Sequence, residues 1–154
     1  MSKQAITELV AALAAEADSV AVPVYEPDEF KRSVESADCP ARILLPSTEG
    51  DVHTFAPMGT GRISRAEWVV KDLLLYLPVE EGMGWLQVGY SLDGYIDSYT
   101  SKLSAANHSA TGFCSIPSEV LGVDFSVGTF TYPIQGTRSY YGVMATLHIV
   151  EFIK

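Results

Sequence analysis

Ala66-Glu67-Trp68-Val69-Val70-Lys71-Asp72-Leu73-Leu74-Leu75-Tyr76-Leu77 is the stretch that decides the fold. It is the most apolar run of the chain, and both of its alternating faces are largely apolar. Successive side chains of a strand point to opposite faces, so a run apolar on both reads as a central strand covered on both sides. Pro78, Glu80, Glu81, Gly82 and Gly84 then form a turn. Beyond it, Trp85, Val88, Leu92, Ile96, Tyr99 and Leu103 step by three and four residues, the stripe of an amphipathic helix. Gly89 and Gly94 lie inside that helix, each costing about 1 kcal/mol relative to alanine. They mark either a break or a place where another backbone packs closely.

Upstream, Ile6, Leu9, Val10, Leu13 and Ala17 fall at helical spacing behind Ser2, a residue suited to an N-cap. Val20, Val22 and Val24 alternate as in a strand over Ser19–Tyr25, which Pro27 ends. Ala41 to Leu45 reads as a short strand between Pro40 and Pro46. From Ser47 to Ser64 the glycines and Pro57 indicate a long loop or a loose hairpin. Near the end, Leu121, Val123, Phe125 and Val127 alternate with small or polar residues, and Tyr140–Ile153 supplies a long last strand with Val143, Ala145, Leu147 and Ile149 on one side. The expected fold class is α+β: a mainly antiparallel mixed sheet with two helices packed against it, in a single domain over residues 1–154.

The chain has 154 residues, 47% hydrophobic and 19% charged, with 19 acidic against 10 basic side chains. Disordered chains combine high charge with low apolar content, so disorder is not expected. A net charge of −9 argues against a face held to nucleic acid by phosphate neutralisation. The N-terminus lacks the uninterrupted apolar core of a secretory signal, since Glu8 breaks it, and no run has the length of a membrane span. Cys39 and Cys114 stand far apart; a disulfide between them is one reading, and free thiols in a reducing cytoplasm are the preferred one.

The search for chemistry turns up little. Gly59-Thr60-Gly61 and Gly82-Met83-Gly84 continue into neither a dinucleotide fingerprint nor a phosphate loop. His53, His108 and His148 lie in separate segments without metal-ligand spacing. Asp93 and Asp97 are four apart on the second helix and read first as a solvated face. Asp28, Glu29, Glu35 and Asp38 make an acidic cluster diluted by Lys31 and Arg32. No catalytic or metal-binding constellation and no cofactor motif results, so the chain is not expected to be an enzyme.

The order and texture of the segments resemble the tail-terminator (tail-completion) proteins of long-tailed bacteriophages, of the lambda type. The likeness rests on ITELVAALAAEA (6–17) leading into VAVPVYEPDEF (20–30), and on ADCPARILLP (37–46) opening an apolar strand. It continues in EWVVKDLLLYLPV (67–79), the helix GYSLDGYIDSYTSKL (89–103) and the closing TRSYYGVMATLHIVEFI (137–153). The resemblance implies a structural virion protein: a subunit of a hexameric ring that caps the tail tube, stops its polymerisation and joins the tail to the head-completion complex. Assembly would take place in the host cytoplasm, with no membrane involved. The partners so implied are further copies of the chain, the tail tube protein and a head-completion or connector protein, while DNA passes the lumen without specific binding. An acidic wall repels phosphate, so Glu26, Asp28, Glu29, Glu35 and Asp38 are the candidate lumen residues, with Glu80 and Glu81 behind them. Interface cores are rich in aromatic residues, and Tyr140 and Tyr141 are the candidate interface pair. The alternatives are another head-tail neck protein, such as a head-closure or connector subunit, or a small-molecule-binding or enzymatic α+β domain.

Overall fold

A computed structural model describes residues 3–26, 36–47, 50–59, 63–81, 84–105, 118–132 and 138–153. Helix α1 (Lys3–Ala12) is followed by the two-residue strands β1 (Glu16–Ala17), β2 (Val20–Ala21) and β3 (Val24–Tyr25). Then come β4 (Ala41–Leu45), β5 (Thr54–Met58), the long β6 (Ile63–Pro78), helix α2 (Trp85–Ala105), β7 (Ser118–Thr131) and β8 (Ser139–Ile153). The sheet order is β3-β4-β6-β8-β7, with β5 also on β6; all pairings are antiparallel except the parallel β3–β4. The fold is α+β, with both helices packed on a mixed sheet, as the periodicity indicated.

Strand alternation explains the two cores. Val70 and Leu74 of β6 share a face with Val143, Ala145, Leu147 and Ile149 of β8, and α1 and α2 cover that face. The helices bring Leu9, Val10, Val88, Leu92, Tyr95, Tyr99 and Leu103 to it. The alternate positions Ile43, Leu73, Leu75 and Tyr140 form a smaller cluster with Tyr132 on the opposite face. Both faces of β6 are thus covered toward its C-terminal half. Gly142 of β8 pairs with Leu75 of β6, and a Cβ there would collide with the Leu74 carbonyl oxygen, so only glycine fits.

Along one edge β6 pairs with β8 over nearly its whole length. Its other edge is shared in series: β5 takes residues 63–67 and β4 takes residues 71–75. Between these two pairings, the Val69 N–H donates to His53 Nδ1 at 3.4 Å, and His53 Nε2 lies 2.9 Å from Ser47 Oγ. The His53 ring also rests 4.9 Å from that of Trp68. A side chain therefore occupies the break between the two edge strands.

The structure departs from the sequence reading in several places. Helix α1 stops at Ala12 rather than Ala17, and Glu16–Ala17 pairs with Val20–Ala21 through a turn in which Asp18 and Ser19 have φ of 52° and 65°. The strand expected over residues 19–25 is divided by Pro23 into β2 and β3. Of the two readings for the region after Ser47, the hairpin holds for the described residues, since β5 and the start of β6 pair antiparallel. Helix α2 runs unbroken through Gly89 and Gly94, and a Cβ at either would meet nothing within 4 Å, so neither glycine marks a close backbone approach. Its buried stripe includes Tyr95, while Trp85 at its first position is exposed. A register shift between Val120 and Gly122 turns Leu121 outward and lets Val123 and Phe125 pack on the helix side.

Candidate functional site

Of the candidate lumen acids, Glu26 and Asp38 are described, whereas Asp28, Glu29 and Glu35 lie outside the described residues. Glu26 follows β3, is half-buried and accepts a hydrogen bond from Thr7 Oγ1 at 3.4 Å. Asp38 is exposed at the end of a short 3-10 turn (Ser36–Asp38). Glu80 and Glu81 fall in a second such turn (Val79–Glu81), where Glu80 lies 3.9 Å from Arg138. Asp93 and Asp97 are exposed on α2, consistent with a solvated helix face.

The interface reading of Tyr140 and Tyr141 is corrected. Both are buried within the chain, and as neighbours on β8 they point to opposite faces. Tyr140 joins the outer cluster and Tyr141 the helix-side core, where the Trp85 ring packs on it edge-on at 4.9 Å. Both faces of β8 are covered at this point, so neither ring is available to a second subunit.

The densest chemistry is a site that sequence reasoning missed. Arg42 on β4 and Asp72 on β6 form an ion pair with both side chains 0% exposed. The register places Arg42 opposite Leu74 and Leu44 opposite Asp72, so the two charges lie diagonally on the helix-facing side. Arg42 Nε donates to both Asp72 oxygens at 3.3 and 3.1 Å, and its Nη2 donates to Asp72 Oδ2 as well. The remaining donors reach the end of α1: Nη1 to the Leu13 carbonyl and Nη2 to the Val10 carbonyl at 3.2 Å. Those oxygens are among the acceptors that the last turn of a helix leaves unsatisfied, and a cation there also faces the negative end of the helix dipole. From α2, Tyr99 Oη donates to Asp72 Oδ2 at 3.1 Å, and its ring lies 5.2 Å from the guanidinium carbon.

Burial alone works against the Arg42 charge, but Asp72 beside it, with Tyr95 and Tyr99, outweighs that and raises its pKa. Burial, then the Asp72 carboxylate, pushes the Tyr95 and Tyr99 hydroxyls well above the usual tyrosine range. The Tyr95 hydroxyl is buried without a hydrogen-bond partner. This enclosed network joins β4, β6, α2 and the end of α1; no face of the pair is open to a substrate. The available signal was a charge amid apolar residues in each of two strands, but the pairing required the register.

The surface offers less convergence. Among the described residues no group of three histidine, cysteine or acidic side chains is placed to hold a metal. Cys39 is half-buried before β4, and Cys114 lies outside the described residues. His148 on β8, opposite Val69 of β6, meets the exposed Asp124 at 2.8 Å. An open cleft of about 340 Å³ runs between α2 and the β1–β2 turn, lined by Glu16, Asp18, Ser19, Tyr90, Ser91 and Ser98 among others. No helix among the described residues is long and apolar enough to cross a membrane.

Two exposed apolar regions stand out. All five residues of β5, Thr54-Phe55-Ala56-Pro57-Met58, are exposed. Consecutive strand residues face opposite ways, so both faces of this strand are bare. At the other end of β6, Leu86 and Tyr90 on the first turns of α2 are 87% and 82% exposed, next to Trp85 at 45%. Comparison with protein-family models and with curated proteins returned no match.

Proposed function

We propose that the chain is a structural subunit of a ring at the end of a phage tail tube, a tail terminator that halts tube growth and receives the head-completion complex. The observation that carries this reading is the pair of unlike apolar surfaces at opposite ends of β6: the bare strand β5 and the start of α2. A closed ring is built from heterologous contacts, in which one surface of each copy meets a different surface of the next. Exposed edge strands and contiguous apolar patches mark places where another chain binds. The segment order, with its likeness to tail terminators, supports the phage assignment. The acidic excess supports a lumen that DNA passes without adhering, with Glu26, Asp28, Glu29, Glu35 and Asp38 as the wall in this proposal.

The test is to add the purified chain to a growing phage tail tube and follow tube length by negative-stain microscopy. Tubes that stop growing and carry one extra ring at an end are expected. Tubes that grow unchanged and bear no added density overturn the reading.

A further inference from the structure

The edge of β6 away from β8 changes hands at Val69: β5 pairs with residues 63–67 and β4 with residues 71–75. In the gap the Val69 N–H donates to a histidine nitrogen, His53 Nδ1. A ring nitrogen that accepts carries a bare lone pair, so the proton of the neutral imidazole sits on Nε2 and is donated to Ser47 Oγ at 2.9 Å. The two contacts together fix one neutral tautomer. The ring also rests beside Trp68, so it fastens the segment leading into β5 onto β6. Among the described residues β5 pairs with β6 alone, and all five of its residues are exposed. A strand that buries neither face is held weakly. Its docking therefore leans on the segment before it, through His53 and through the Asp51–Lys71 ion pair at 2.9 Å.

We propose that His53 is an acid-sensitive latch: uptake of a second ring proton releases residues 51–54 from β6 and loosens the β5 strand. An imidazolium carries a proton on both nitrogens and has no lone pair to accept with. Its Nδ1–H would face the Val69 N–H, donor against donor, and the hydrogen bond is lost. Undocked, the ring meets water and takes up the proton without that penalty. The undocked form thus binds the proton more readily, so docking is strongest at neutral pH and weakens as pH falls through the histidine range, around 6.5. The charged groups on the surrounding elements do not titrate with it. Lys71 is paired with Asp51, and Glu67, opposite Thr54, is paired with Arg65; carboxylates take up protons only toward pH 4. The end of β4 at the gap is the apolar Leu45. On the far side of β6, His148 of β8 is bonded to Asp124. The latch concerns what holds β5, and it is independent of what β5 meets.

Amide hydrogen exchange of the full-length chain at pH 7.5 and 5.5, corrected for the intrinsic pH dependence of exchange, tests the latch. Loss of one hydrogen bond of ordinary net strength weakens docking about tenfold when the ring is fully protonated, and about fivefold at pH 5.5. Protection of the Val69 amide and of the β5 amides bonded to β6 should fall by that factor, while the β6–β8 ladder holds. His53→Asn places an amide oxygen where Nδ1 stands, an acceptor that takes up no proton in this range, and equal protection at both pH values is expected. His148→Gln should keep the wild-type fall. Wild-type protection that does not change, or a fall that persists in His53→Asn, overturns the latch. A fall abolished by His148→Gln assigns the titration to that residue and overturns it too. Ring 15N NMR at pH 7.5 gives a reading that needs no variant: His53 should be the Nε2–H tautomer, and an Nδ1–H tautomer overturns the proposal.

Discussion

The Arg42–Asp72 junction and the β5 strand reverse the usual rule in opposite ways. At the junction two full charges sit where a core would ordinarily be apolar, with neither side chain exposed. On β5, phenylalanine, alanine, proline and methionine sit where a surface would ordinarily be polar, and every position is exposed. The difference lies in what the chain itself supplies. Arg42 finds a carboxylate, two helix-end carbonyls and an aromatic face within the same chain. The described residues leave β5 uncovered on both faces. A buried polar group without partners is costly and must be satisfied during folding. An exposed apolar group is tolerated by the folded chain and can wait for another molecule.

The strongest way to break the comparison is Arg42→Met. It strands the Asp72 carboxylate in the core, and a loss of about 3–5 kcal/mol in urea unfolding is expected. The double variant Arg42→Met/Asp72→Leu should recover much of that loss, and strict additivity would show that the pair is not coupled. Tyr99→Phe removes a hydrogen bond to a charged acceptor and should cost about 1.5–3 kcal/mol, whereas Tyr95→Phe, whose hydroxyl has no partner, should be close to neutral.

Alkaline pH sharpens the same contrast. The folded state holds the protons of Tyr95 and Tyr99 above the usual range, so unfolded chains lose them first as pH rises. Stability is therefore fully present below about pH 10 and falls above it, by up to about 1.4 kcal/mol per pH unit for each tyrosine. Thermal melts from pH 8 to 11 should show the fall, reduced in the Tyr95→Phe/Tyr99→Phe double variant; an unchanged fall would mean that these two tyrosines do not cause it. The smallest effect is expected at β5. Phe55→Ser should shift the stability of the isolated chain by no more than about 0.5 kcal/mol. A larger loss would make β5 part of the core and remove the contrast.

How much was legible follows from the range of each interaction. The apolar runs of β6 and β8 and the helical step of α2 are local patterns, and the structure has all three near the expected bounds. The rotation of α2 was harder to read: Trp85 and Tyr95 are both large aromatics, and only the sheet beneath decides that Tyr95 turns inward. Tyr140 and Tyr141 misled because aromatic content suits a core as well as an interface. Arg42 was passed over because its meaning depends on Asp72, thirty positions away.

By itself, then, the sequence determined the α+β class, the central place of β6, the long last strand and the acidic, charge-poor character of the chain. Each of these follows from composition or from a spacing of two to four residues, which neighbours along the chain settle among themselves. Tertiary structure alone decided that Arg42 and Asp72 meet beneath the end of α1, that Tyr140 and Tyr141 are enclosed, and that β5 is left bare. Those outcomes depend on strand register and on which layer covers which face, and both are set by contacts between residues far apart in sequence.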